Sequence, residues 1–193
     1  MGTSSVAIVG AGAAGVLTAL RLLETAEDRG QALEVVLVDP AAESGRGVAF
    51  STNEPAHLLN VPAGKLSADA RDPGQFVRWA GEWLERPVRP DEFLPRSLLG
   101  RYLGDLLETA TGRCRTARLR RVHDTVTGAC RAGDGVTLRL ASGGSSRRAW
   151  LPIMMRTPPA CALRKTPSRR RRKSCVTRRP RLSGRMIPHC NSP

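Results

Sequence analysis

The chain opens on an apolar run, Ser5-Val-Ala-Ile-Val9, rich in β-branched residues and closed by Gly10. A strand covered on both faces reads this way, because neither face has to meet water. From Ala13 to about Arg29 the apolar positions change period. Leu17, Leu20 and Ala19 with Leu23 recur at three- and four-residue steps, which predicts a helix, and Gly30 stands where a helix stop is expected. Glu34-Val-Val-Leu-Val-Asp39 returns to the strand pattern and Pro40 ends it. Strand, helix and strand in this compass predict a right-handed parallel βαβ unit.

Residues 41–72 are rich in Gly, Ser, Asn and Pro and show little periodicity, so they read as a long ordered excursion. A helix is expected from Pro73 to about Glu85, capped by Asp72, with Phe76, Val77, Trp79, Ala80 and Trp83 on its buried side. A second is expected from Pro95 to Ala110, with Leu98, Leu99, Tyr102, Leu103, Leu106 and Leu107 inward. Val122 to Cys130 and Val136 to Leu140 read as strands joined by a hairpin turn at Ala132-Gly-Asp-Gly135. The expected fold is therefore α/β: a Rossmann-type βαβ domain with a parallel sheet and a β-hairpin, over residues 1–144.

Charge divides the chain at about Ser145. The 193 residues carry a formal net charge of +14, a value that points to nucleic acid or a membrane surface until it is mapped. All 17 acidic residues lie before Ser145 together with 17 of the 31 basic ones, so that part is neutral. The remaining 14 basic residues fall in 145–193 with no acid among them, and include Ser168-Arg-Arg-Arg-Arg-Lys-Ser174. Such a composition buries too little apolar surface to fold alone, and 145–193 is expected to be a disordered, low-complexity basic tail. Three origins fit it: a shifted reading frame that truncates the domain, an arm for nucleic acid with strongly salt-dependent affinity, or a solvated or membrane-surface tail.

Five cysteines, Cys114, Cys130, Cys161, Cys175 and Cys190, form no CxxC pair, and the three histidines are scattered. Neither a disulfide framework nor a metal centre is expected. No apolar stretch reaches the roughly 20 residues of a membrane span. Val6 to Leu23 lacks the preceding basic residues of a secretion signal, so a cytoplasmic protein is expected.

The motif that carries chemistry is Gly10-Ala11-Gly12-Ala13-Ala14-Gly15, set between the first strand and the first helix. Alone, GxGxxG is a weak signal; strand before and helix after are the context it needs. Gly10 permits the tight turn, Gly12 lets the backbone approach a pyrophosphate, and Gly15 lets helix and sheet pack closely. Free amides and the positive helix end then stabilise the phosphates. Asp39, followed by Pro40 at the end of the second strand, is placed to accept hydrogen bonds from ribose hydroxyls. A carboxylate there disfavours a 2′-phosphate, so FAD or NAD is expected over NADP at this site. The plainer alternative is a close-packed strand–helix turn with no ligand.

Further residues carry a family resemblance. Gly45-Arg46-Gly47-Val48-Ala49-Phe50, His57-Leu58-Leu59-Asn60-Val61-Pro62, Asp72-Pro73 with Phe76 and Trp79, and Pro95-Arg96 with Gly100-Arg101-Tyr102-Leu103 resemble the FAD/NAD(P)-binding proteins grouped with FAD-dependent urate hydroxylase and aspartate N-monooxygenase. The likeness covers about residues 4–144. It implies a flavoprotein oxidoreductase of monooxygenase type that holds FAD on the βαβ unit. NAD(P)H would be its electron donor and a small molecule its substrate. It also implies that Arg46, His57 and Asn60 approach the cofactor and that Arg96 supplies charge to phosphate or substrate. Each has a plain alternative: His57 braces a loop, Asn60 suits a turn, Arg96 pairs with Asp91 or Glu92, and Arg46 is solvated. The family continues with a buried strand and an A-x-G turn, where this chain has Ser145-Ser-Arg-Arg-Ala-Trp-Leu-Pro. No catalytic acid or base can be named. The rival to a flavoprotein is a non-enzymatic protein whose Arg-rich tail contacts nucleic acid.

Overall fold

The structure, a computed structural model, describes residues 4–132 and 135–143 and the backbone of 145–149. The turn expected at 133–134 and the basic stretch from 150 onward lie outside the described residues. β1 (Ser4–Val9), α1 (Ala13–Asp28) and β2 (Leu33–Val38) form the predicted βαβ unit, within a residue or so of the expected limits. A third strand, β3 (Ala117–Val122), joins them, giving a parallel sheet in the order β1-β2-β3. Val9 pairs with Val38 and Val38 with Val122, so the carboxyl ends of all three strands finish level.

Alternation along the strands sorts the core into two layers. Ile8, Val35 and Leu37 face α1 and the later helices, together with Val16, Leu20 and Leu23 of α1. Ala7, Val36 and Val38 face the other way, onto Leu138, Val126 and Val136. Each fully buried aliphatic side chain contributes about 1.5–3 kcal/mol, so a one-residue slip of any strand is strongly disfavoured. The second layer is an antiparallel sheet of β4 (Val126–Ala132), β5 (Gly135–Leu140) and β6 (Ser145–Ala149), in that order. β4 and β5 pair from Val126↔Leu140 to Ala132↔Gly135, as a hairpin requires.

Between β2 and β3 the chain makes a short helix α2 (Gly47–Phe50), a 3-10 turn (Ala63–Lys65), α3 (Gln75–Trp83) and α4 (Arg96–Arg113). Phe76, Ala80, Leu98, Tyr102, Leu103 and Leu107 are buried, as the periodicity predicts. Four expectations need correction. Residues 122–130 are not one strand: the chain leaves the parallel sheet after Val122 and enters the antiparallel one at Val126. α3 starts at Gln75 with Gly74 as its N-cap: the chain first makes a turn in which the Gln75 amide donates to the Asp72 carbonyl, and the Asp72 side chain pairs with Arg78 rather than capping the helix. Trp83 is 47% exposed, its ring stacked on Trp79 and covered by the Arg101 guanidinium. And a strand, β6, lies beyond Ser145, where the composition announces none.

Glu27 staples the end of α1 to the α4–β3 turn. Its Oε2 accepts hydrogen bonds from the Thr116 hydroxyl (2.7 Å), the amides of Arg115 (2.9 Å) and Thr116 (3.0 Å), and the Cys114 thiol. The Thr116 hydroxyl and then the two amides hold this carboxyl down at about 2, from an ordinary 4.5. A carboxylate depressed in the folded state adds stability above its unfolded pKa and loses it as pH falls toward the folded one. Glu27→Ala is expected to unfold at lower denaturant than the parent at pH 7. That gap should narrow as pH drops from 4.5 to about 2. Parallel chevron midpoints across that range check it.

Candidate functional site

The level carboxyl ends of the strands place Gly10, Asp39 and His123 side by side, where open α/β sheets bind ligands. Gly10 donates its amide to the Val38 carbonyl (2.7 Å) and turns the chain with φ +100°, a conformation that demands glycine. At Gly15 an ideal Cβ would stand 1.9 Å from the Gly10 carbonyl oxygen, so glycine is required by packing. Gly12 differs. Its φ of −70° and ψ of −174° suit any residue, and a Cβ there would meet only Gly47 Cα at 3.5 Å, an ordinary contact. The fold does not need a glycine at position 12.

Gly12 is also the N-cap of α1, with no side chain capping the helix. The first helical bond runs from Val16 N to Gly12 O (3.0 Å), and the amides of Gly12, Ala13, Ala14 and Gly15 find no acceptor among the described residues. Ala14 is exposed and Gly12 and Ala13 half-buried, so this positive helix end meets open solvent. A diphosphate fits what is there: unpaired donors, a helix dipole, and a residue without a side chain at their centre.

Asp39 is half-buried and bonded to its own chain. Its Oδ2 accepts the Ala11 amide (2.8 Å) and its Oδ1 the Ala41 amide (2.8 Å), tying the glycine turn to the start of the next loop. A carboxylate has about four acceptor sites, so two remain for ribose hydroxyls. Pro40, beside it, is exposed. His123 is a neighbour that sequence reasoning missed: it follows β3, with Nδ1 3.2 Å from the Ala41 carbonyl. Placing 122–130 in one strand hid it.

The loop after Asp39 is held between the glycine turn and α4. Gly45 donates its amide to the Ala11 carbonyl (2.7 Å), and Gly47 packs so closely on Gly12 that its Cβ would lie 3.0 Å from Gly12 Cα. On the other side, a Cβ at Gly45 would stand 2.4 Å from the Gly100 carbonyl oxygen, and one at Gly100 would meet Arg46 Cγ at 2.9 Å. Gly45 also takes φ +93°. Gly100 thus lets α4 seat the loop against the phosphate turn. Gly100→Val is expected to cost about 1–3 kcal/mol, by overpacking, and to weaken dinucleotide binding as the loop lifts. Thermal melts alongside cofactor titration check both.

Arg46 is not solvated: its side chain is 17% exposed, with Nη1 on the Glu43 carboxylate and Nη2 on Asn53 Oδ1 (3.1 Å). This guanidinium holds the Glu43 carboxyl below the usual carboxylate range. Arg96 does not pair with Asp91 or Glu92, which take Arg89 and Arg86. Arg96 Nε and Nη2 instead donate to the Leu58 carbonyl (3.2 and 3.0 Å), while its amide donates to the His57 carbonyl (2.9 Å). His57 is exposed and its Nδ1 lies 2.8 Å from the Thr52 hydroxyl; Asn60 is exposed and makes no hydrogen bond among the described residues. His57, Asn60 and Arg96 share the 57–60 segment and its bridge to Pro95, and none bonds to the glycine turn.

No curated protein matches the sequence. Among solved structures, Tmm from Pelagibacter sp. strain HTCC7211 is similar over 78% of this chain and 36% of that one, at 17% identity and TM-score 0.53. The Diels-Alderase PyrE3 of pyrroindomycin biosynthesis matches over 79% of this chain and 32% of that one (16% identity, TM-score 0.46). The halogenase PltM in complex with phloroglucinol and FAD matches over 79% and 34% (15% identity, TM-score 0.44). The chain thus spans about a third of the length of these structures, and at such identities the likeness to Tmm bears on the fold alone. The family model described as FAD-NAD(P)-binding matches residues 7–150, a span that contains the glycine turn, Asp39, the loop that packs on them, the second half of β1 and the whole of β2 to β6. With its dinucleotide turn built as that description requires, the chain belongs to the FAD-NAD(P)-binding family.

Proposed function

We propose that this chain is the FAD-holding part of a flavin-dependent oxidoreductase of monooxygenase type, related to the FAD-dependent urate hydroxylase group. NAD(P)H serves as electron donor and a small molecule as substrate. The observation that supports FAD at this site is the glycine turn: four unpaired amides converge around a glycine that the fold itself does not require. The amides of Gly12 to Gly15 hold the diphosphate, Asp39 orients the adenosine ribose through its two remaining acceptor sites, and Ala11 and Pro40 shape the walls. Arg46, His57 and Arg96 are first of all loop-holding residues in this reading, whereas Asn60 is exposed beside them with its side chain open to the cofactor. Arg96 and His57 fix the 57–60 segment, and Arg46 fixes the loop over the turn. Bound flavin supplies the redox chemistry; the chain's own contribution is grip and orientation.

Titrating the full chain with FAD, ADP and riboflavin, by flavin fluorescence and calorimetry, tests the reading. FAD and ADP should bind and riboflavin should not, since the grip is on the diphosphate and adenosine. Binding of riboflavin as tight as that of FAD, or no binding of FAD, contradicts it. The sequence also carries a second reading, nucleic-acid binding by the 14 basic residues of 145–193. That reading expects affinity for DNA or RNA that falls steeply with salt and is untouched by Gly12→Ala.

A further inference from the structure

The carboxyl ends of β1, β2 and β3 finish level and are followed by Gly10, Asp39 and His123 in that order. Neighbouring strands lie about 5 Å apart. With the diphosphate on the amides that follow β1 and the ribose on Asp39 after β2, a bound nucleotide runs across the strand ends. Its base then falls one strand further on, above the end of β3. This placement rests on the dinucleotide reading of the glycine turn.

Hydrogen bonds fix what the end of β3 offers a base. The Val122 carbonyl is already taken by the amides of Asp39 (3.1 Å) and Asp124 (3.0 Å). The Asp124 carboxylate holds the Thr125 amide (2.6 Å) and both the amide and the hydroxyl of Ser142. His123 is exposed, with Nδ1 3.2 Å from the Ala41 carbonyl. A carbonyl can only accept, so Nδ1 carries the proton, and Nε2 of the neutral ring is a bare acceptor. That nitrogen makes no hydrogen bond among the described residues. Ala41 is itself fixed, its amide on Asp39 Oδ1 (2.8 Å). One residue thus ties the tautomer and orientation of the ring to the carboxylate that receives the ribose.

We propose that His123 reads the base of the bound dinucleotide. Its Nε2 accepts an N–H of the exocyclic amino group of adenine. It rejects an oxo purine, whose oxygen at the same place would set acceptor against acceptor. The glycine turn supplies the grip common to every nucleoside diphosphate, and His123 supplies the choice of base.

ADP and inosine diphosphate carry the same ribose and diphosphate and differ only at this edge of the base, so calorimetric titration of the full chain with each isolates the contact. The parent should bind ADP roughly threefold to tenfold more tightly than inosine diphosphate, the worth of one hydrogen bond at an exposed site. His123→Phe keeps a flat ring for stacking and removes the acceptor. It should bring the two ligands to equal affinity, with an unfolding midpoint like the parent's, because the side chain is exposed. Gly12→Ala should weaken both ligands by the same factor and leave their ratio as it was. The ratio is also blind to the basic residues of 145–193, which meet the same diphosphate on both ligands. Equal affinity of the parent for the two overturns the proposal, and so does a preference for ADP that survives in His123→Phe. Failure of the parent to bind either ligand overturns the dinucleotide reading itself, and the proposal with it.

Discussion

Gly12→Ala is expected to fold as the parent does and to bind FAD about 10- to 100-fold more weakly, the effect of about 1–3 kcal/mol of overpacking at the diphosphate. The backbone at position 12 is in an ordinary extended conformation, and the added methyl would meet nothing nearer than Gly47 Cα at 3.5 Å. The folded protein accepts the methyl, losing no more than about 1 kcal/mol through the poorer N-cap. A bound diphosphate does not accept it, because the methyl stands among the amides that grip the phosphate oxygens. Unfolding midpoints and FAD titrations on the same preparation separate the two effects. A variant that binds FAD as the parent does removes the reason for a glycine at this position.

Gly15→Ala should do the reverse and strike the fold. The new methyl would fall 1.9 Å from the Gly10 carbonyl oxygen and 3.0 Å from its carbon. Gly10 cannot yield easily, since its φ of +100° and its amide bond to Val38 fix the turn at the end of β1. α1 must therefore move off the sheet, away from Ile8 and the core beneath it. The expected loss is about 3 kcal/mol or more, at the upper end of what overpacking costs. That corresponds to a melting point lower by roughly 6–12 °C for a chain of this size. A melt within a degree or two of the parent contradicts the close approach of helix and turn.

The contrast between these glycines marks the limit of what the sequence makes legible. β1, α1 and β2 stand out because their apolar positions change period cleanly at Gly10 and Gly30, and Asp39 follows from the end of β2. β3 does not stand out. Arg118, Arg120 and Arg121 interrupt its apolar pattern, and only pairing with β2 shows that Ala117, Leu119 and Val122 still reach the core. With β3 hidden, so was His123. Trp83 reads as a core residue from its helical phase with Phe76 and Ala80, yet α3 ends there and the ring is left at the surface under Arg101. Arg96 next to two acids reads as an ion pair, but backbone carbonyls of the 57–58 segment lie closer. Gly45 and Gly100 are 55 residues apart, and nothing local tells that one packs into the other.

Amide chemical shifts of the 15N-labelled chain, recorded as FAD, ADP and riboflavin are added in turn, test the central claim most directly. The largest movements should fall on Gly12, Ala13, Ala14 and Gly15 with FAD and with ADP, and be missing with riboflavin. Movements that leave those four amides still while FAD binds elsewhere would contradict a dinucleotide grip at the end of β1.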